Sequence, residues 1–111
     1  MPDRFLVVLI TAPSREEAER IAAALVEERL AACVNVVPGV LSIYRWEGEI
    51  QRDDEVLMLV KTAAAAFPRL EARVQELHPY DVPEVVALAP EKMSSGYRAF
   101  LEDNLRDNTD S

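Results

Sequence analysis

The sequence predicts one α+β domain, residues 1-111, built on a sheet whose two middle strands form an unusually long hairpin. Three observations carry this. Strand-like and helix-like stretches follow each other in the order strand, helix, strand, strand, helix, strand, helix. Each of the two consecutive middle strands runs to roughly 13 residues, about 40 Å at ~3.3 Å per residue and more than twice the usual strand length. The 111 residues are 50% hydrophobic and 29% charged, the composition of a chain that buries a core.

Phe5 to Ile10 is a continuous apolar run, rich in β-branched residues, as in a central strand buried on both faces. Thr11-Ala12-Pro13 closes it. Ser14 with Glu17 forms a capping box, in which hydroxyl and carboxylate each satisfy an orphan backbone donor. Ala18, Ile21, Ala22, Leu25 and Val26 then recur at helical spacing, predicting a helix from Arg15 to Leu30. Cys33 to Trp46 is strand material broken at Pro38-Gly39, where a missing donor calls for a bulge or an edge position. Gly48 marks the turn. The return strand spans Glu49 to Thr62.

Pro68 fits only a first helical turn, so a second helix starts between Ala64 and Phe67 and presents Phe67, Leu70, Val74 and Leu77 inward. His78-Pro79 stops it. Val85 to Ala89 reads as a short buried strand. Ser94 or Ser95 caps a last helix with Tyr97, Phe100, Leu101 and Leu105 on one face, and the polar tail Asp107 to Ser111 reads as frayed. The first six elements are the split β-α-β order of ferredoxin-like domains (βαββαβ plus C-terminal helix). A helix rises only 1.5 Å per residue, so two helices cover about 20–25 Å of the sheet and the hairpin overhangs them. Ile43, Tyr44, Trp46 and Ile50 lie on that overhang, which predicts a homo-oligomer formed through the hairpin.

Twelve basic against 20 acidic residues give a net charge of -8, which disfavours nucleic acid and anionic membrane as partners and favours cations. One cysteine forms no intramolecular disulfide, and the six-residue apolar run near the N-terminus is too short for a signal core or a membrane span. The expected location is cytoplasmic. The three glycines are scattered, so no glycine-rich phosphate loop exists, and neither HExxH nor paired CxxC spacing occurs.

The residues that can carry chemistry are few, and each has two readings. Cys33 is either a small buried hydrophobe or half of a Cys33–His78 pair. His78, the sole histidine, is either a helix C-cap or a ligand beside Tyr80, Asp81 and Glu84. Glu47, Glu49, Asp53, Asp54 and Glu55 read as a solvated ribbon or as oxygen donors for a hard cation, without the twelve-residue rhythm of an EF-hand. Lys61 reads as an anion contact or a snorkelling edge lysine. Tyr44 and Trp46 read as packing anchors of the oligomer ahead of a stacking site.

Leu30-Ala31-Ala32-Cys33-Val34-Asn35, Val37-Pro38-Gly39 and Ser42-Ile43-Tyr44-Arg45-Trp46-Glu47-Gly48 together resemble the CutA-type divalent-cation-tolerance family. Leu59-Val60-Lys61-Thr62, His78-Pro79-Tyr80 and Val82-Pro83-Glu84-Val85-Val86 extend the resemblance over nearly the whole chain. It implies a ferredoxin-like subunit in a homotrimer, no enzymatic activity, and clefts between subunits. Cys33, His78 and Glu84 would be metal ligands there, with Trp46, Lys61 and Tyr80 lining the cleft. It also implies a weakly bound divalent metal ion, copper before zinc, and a role in tolerance of divalent cations. Some copper-binding members have further cysteines in the first strand and second helix. This chain has Ile10 at the end of that strand and no cysteine in that helix, and fewer thiolates mean weaker hold on Cu(I). The alternatives are a small-molecule anion sensor with Lys61 and Arg45 as contacts, and a signalling or scaffold protein whose surface is its function.

Overall fold

Even-numbered residues of the first strand face a pair of helices, and that alternation organises the core. The structure, a computed structural model, describes residues 4–105, so the expected frayed tail lies outside the described residues. The elements are β1 (Phe5–Ala12), α1 (Arg15–Glu27), β2 (Cys33–Trp46), β3 (Glu49–Ala63), a 3-10 turn (Ala64–Ala66), α2 (Phe67–Leu77), β4 (Val85–Leu88) and α3 (Ser95–Asn104). The sheet order is β2-β3-β1-β4, all neighbours antiparallel, which is the predicted ferredoxin-like topology. Val8, Ile10, Ala12, Val56, Met58 and Val60 meet Ala18, Ile21 and Leu25 of α1 and Leu70 and Val74 of α2 in one apolar cluster. The opposite face is closed only at one end, where Leu101 and Leu105 pack on Phe5 and Ala32, with Tyr97 and Ala63 beside them.

Local chemistry explains the boundaries. The Ser14 hydroxyl accepts the Glu17 N–H at 3.1 Å, as the capping box requires. α1 stops at Glu27, short of the expected Leu30. Arg29 takes φ 60°, and the N–H groups of Leu30 and Ala31 both turn back to the Leu25 carbonyl. This is a left-handed helix cap without its usual glycine, so composition does not announce it. β1 runs on through Ala12 and β4 ends at Leu88, because pairing partners rather than apolarity set strand ends.

The hairpin turn is Glu47-Gly48 between paired Trp46 and Glu49, with φ 51° and 83°. Two positive φ values make this a type I′ turn, whose twist matches that of the strands. Nothing lies within 4 Å of a Cβ built on Gly48. Gly48→Ala is therefore expected to cost about 1 kcal/mol through backbone strain alone. Denaturant unfolding reads this directly, and an unchanged midpoint would refute it.

Pro38-Gly39 forms the predicted bulge, with Gly39 at φ 86° and the register shifting between Val37 and Val40. β2 is also an edge strand, so both readings of that proline hold. The extra residue reverses which side of β2 faces the helices. Before it, Cys33, Asn35 and Val37 share the open face with Lys61, Leu59 and Leu57. After it, Ser42, Tyr44 and Trp46 take that face with Asp53, Gln51 and Glu49, and Leu41, Ile43 and Ile50 turn to the helix side. The 15 residues of β3 span about 50 Å, whereas the 13 of α1 cover about 20 Å. Leu41, Ile43 and Ile50 are accordingly 50–58% exposed.

Candidate functional site

Where the hairpin leaves the body of the domain, the α2–β4 loop folds against it and forms a solvent-open cleft of about 400 Å³. Its walls include Tyr44 and Trp46 from β2, Glu55 from β3, and Tyr80, Asp81 and Glu84 from the loop. His78 sits behind this wall, 7% exposed, and sets the loop. Its backbone N–H caps α2 on the Val74 carbonyl at 2.8 Å. Its Nε2 lies 2.7 Å from the Thr11 carbonyl oxygen, an acceptor only, so Nε2 carries the proton. Nδ1 then accepts the Tyr80 N–H at 3.1 Å, and the two rings stand 4.8 Å apart. Gln75 adds a hydrogen bond to the Asp81 carbonyl at 2.9 Å.

So placed, Tyr80 donates its hydroxyl to Glu55 Oε2 at 2.8 Å, and Tyr44 donates to Asp53. Burial first, then the Glu55 carboxylate, pushes the Tyr80 phenol well above its ordinary value of 10.0. The hydrogen bond to Asp53 raises Tyr44, and burial followed by Cys33 raises Tyr97. These are all three tyrosines of the chain. Each native phenol holds a proton that the unfolded chain releases near pH 10, so this stabilisation is complete below pH 10 and falls as pH rises beyond it. A spectroscopic titration is expected to show native phenolate appearing only above that range, with unfolding close behind. Three phenols titrating together at 10 in folded protein would contradict it.

The sequence-predicted residues fall into two groups. Trp46, Tyr80 and Glu84 line the cavity, with Trp46 51% exposed. Cys33 and Lys61 pair across β2 and β3 at the other end of the sheet, six residues along β3 from Glu55, or roughly 20 Å. Lys61 lies on a central strand, not an edge. Its Nζ donates to Asn35 and stands 3.7 Å from Cys33 Sγ, beside Tyr97. Cys33 is half-buried, not an interior hydrophobe. Within one chain, Cys33, His78 and Glu84 therefore do not form a common ligand set. Both His78 ring nitrogens already have partners, and ligation would break one of those bonds. Among the described residues, no three His, Cys, Asp or Glu side chains stand together as a metal centre needs. Arg45, at the hairpin tip, and Lys61 lie at opposite ends of the β2–β3 ladder, so they do not converge on one anion.

Glu55 is the wall residue that sequence reading missed. Its place in the acidic stretch predicts a solvated side chain, yet it is only 8% exposed. The signal was its parity: Glu55 shares a face with Leu57 and Leu59, and a carboxylate in phase with an apolar stripe is not simply solvated.

Residues 6–104 match the family described as CutA1 divalent ion tolerance protein. A divalent-cation tolerance protein CutA from Thermus thermophilus is 62% identical over 103 residues, covering 93% of this chain and 96% of that protein. The chloroplastic protein CutA of Arabidopsis thaliana is 44% identical over 101 residues, covering 91% of this chain but only 56% of the plant protein. The chain thus spans about half the length of that relative. Among solved structures, CutA1 from Oryza sativa superposes with a TM-score of 0.91 at 40% identity, covering 94% of this chain and 95% of the other.

Proposed function

The chain belongs to the CutA1 divalent ion tolerance family, and on that premise we propose that it binds divalent cations weakly, as a homotrimer, in clefts completed between subunits. Tolerance of metal ions follows from that binding, and the reading includes no catalytic step. The observation that carries it is the carboxylate-bearing cavity beside an overhanging hairpin with uncovered apolar residues. Glu84 and Glu55 supply oxygen donors there. Cys33 can join them only from another subunit. His78 acts as the residue that sets Tyr80. With mostly oxygen donors and no thiolate pair, affinity is modest, and among divalent ions Cu²⁺ ranks above Zn²⁺ in the general order of ligand affinity.

The test is a calorimetric titration of Cu²⁺, then Zn²⁺, into metal-free protein near neutral pH. Saturable heat at one site per chain, stronger for Cu²⁺ and weakened about tenfold in Glu84→Gln, is expected. Unsaturated heats with both metals would overturn the reading and leave the acidic surface as a non-specific cation sink.

A further inference from the structure

We propose that the cavity at the base of the hairpin is a receptor for a small organic ammonium ion. The proposal shares this cavity with the divalent-cation reading but draws on different wall chemistry. Three aromatic side chains, Tyr44, Trp46 and Tyr80, stand in one wall with the carboxylates of Glu55, Asp81 and Glu84. None of the described residues of this chain that line the cavity is Lys, Arg or His, so the ionisable carboxyl groups there face no cationic side chain in the lining.

An aromatic face attracts cations through its ring quadrupole, and combined with carboxylates it selects a cation that also carries apolar groups. A bare metal ion uses little of such a wall. A zinc-type site also wants three or four protein ligands, and within one chain no three candidate ligand groups converge among the described residues, so the metal needs donors from a second subunit and the ammonium ion does not. An ammonium ion needs one or two carboxylates and a π face. The volume of about 400 Å³ falls in the range of small-molecule sites and far exceeds that of a metal ion.

The wall is also set in place. His78 positions Tyr80, whose hydroxyl engages Glu55 Oε2 and leaves Oε1 for a guest. The Pro38-Gly39 bulge puts Tyr44 and Trp46 on the same face as Glu55. Without the extra residue, Leu41 and Ile43 would take that face.

Trp46 is the chain's one tryptophan and lines this cavity, so its emission is the natural readout at fixed protein concentration. Tetramethylammonium and 1,4-diaminobutane are titrated separately into the full chain, at constant ionic strength and with EDTA present to exclude metal. A saturable emission change at one guest per chain is expected. By calorimetry, Trp46→Leu and Glu84→Gln should each weaken binding about tenfold. A quaternary preference would place the recognition on the rings, and a diamine preference would place it on Glu55 and Glu84. No saturable response to either probe overturns the proposal, as does binding that both substitutions leave unchanged. Glu84→Gln alters an exposed side chain without changing its shape, so the test stands if Trp46→Leu disturbs folding. Copper heat without an ammonium response would sink this proposal alone, and the reverse would sink only the metal reading.

Discussion

His78→Ala is expected to lower unfolding stability by about 2–4 kcal/mol in EDTA, where no metal contributes. The substitution leaves the Thr11 carbonyl without its donor and the Tyr80 N–H without its acceptor. A buried polar group left unpaired costs about 1–3 kcal/mol, and the lost ring adds a small cavity. Two conservative variants divide the effect. His78→Gln carries an amide N–H near the former Nε2 and should recover the strand contact. His78→Asn carries an oxygen near the former Nδ1 and should recover the Tyr80 contact. Denaturant unfolding at fixed protein concentration measures all three. If His78 were purely a metal ligand, metal-free His78→Ala would unfold like the parent chain, and this account would fail.

How far the sequence carries can be read at individual residues. The element order was legible because each element has a strong local cause: the apolar run of β1, the Ser14–Glu17 box, Pro68 in the first turn of α2, and Gly48 in the hairpin. Arg29 shows the limit. Its left-handed φ closes α1 early, and nothing in the residue type signals it, because packing of Leu30 and Ala31 into the core imposes the turn. The site was legible in part for a related reason. Trp46, Tyr80 and Glu84 come together because the hairpin and the α2–β4 loop meet. Cys33 and His78 stay apart because strand register sets their separation, and register depends on pairing across 20 or more residues. A one-residue bulge then decides which hairpin side chains face the cavity.

The same bulge sets the second large effect. Ile43→Asp combined with Ile50→Asp is expected to dissociate the proposed trimer while leaving each chain folded. On the helix side of the hairpin, Ile43 opposes Arg52 and Ile50 opposes Arg45, which makes the two isoleucines diagonal neighbours, with Leu41 two residues on. All three lie beyond the reach of α1 and α2, and none belongs to the core cluster, so two aspartates there remove little that holds one chain together. In an interface each would bury a charge without a partner, at a cost of several kcal/mol per chain, repeated at every equivalent contact. Sedimentation should show the parent at three times the 12.4 kDa chain mass and the double variant at one, with matching far-ultraviolet circular dichroism. Retention of the trimer would mean that the uncovered hairpin strip is not the contact. The open face carrying Val7, Leu9, Leu57 and Leu59 would then have to hold the subunits together unaided. Loss of secondary structure along with the trimer would instead mean that the subunit folds only on association.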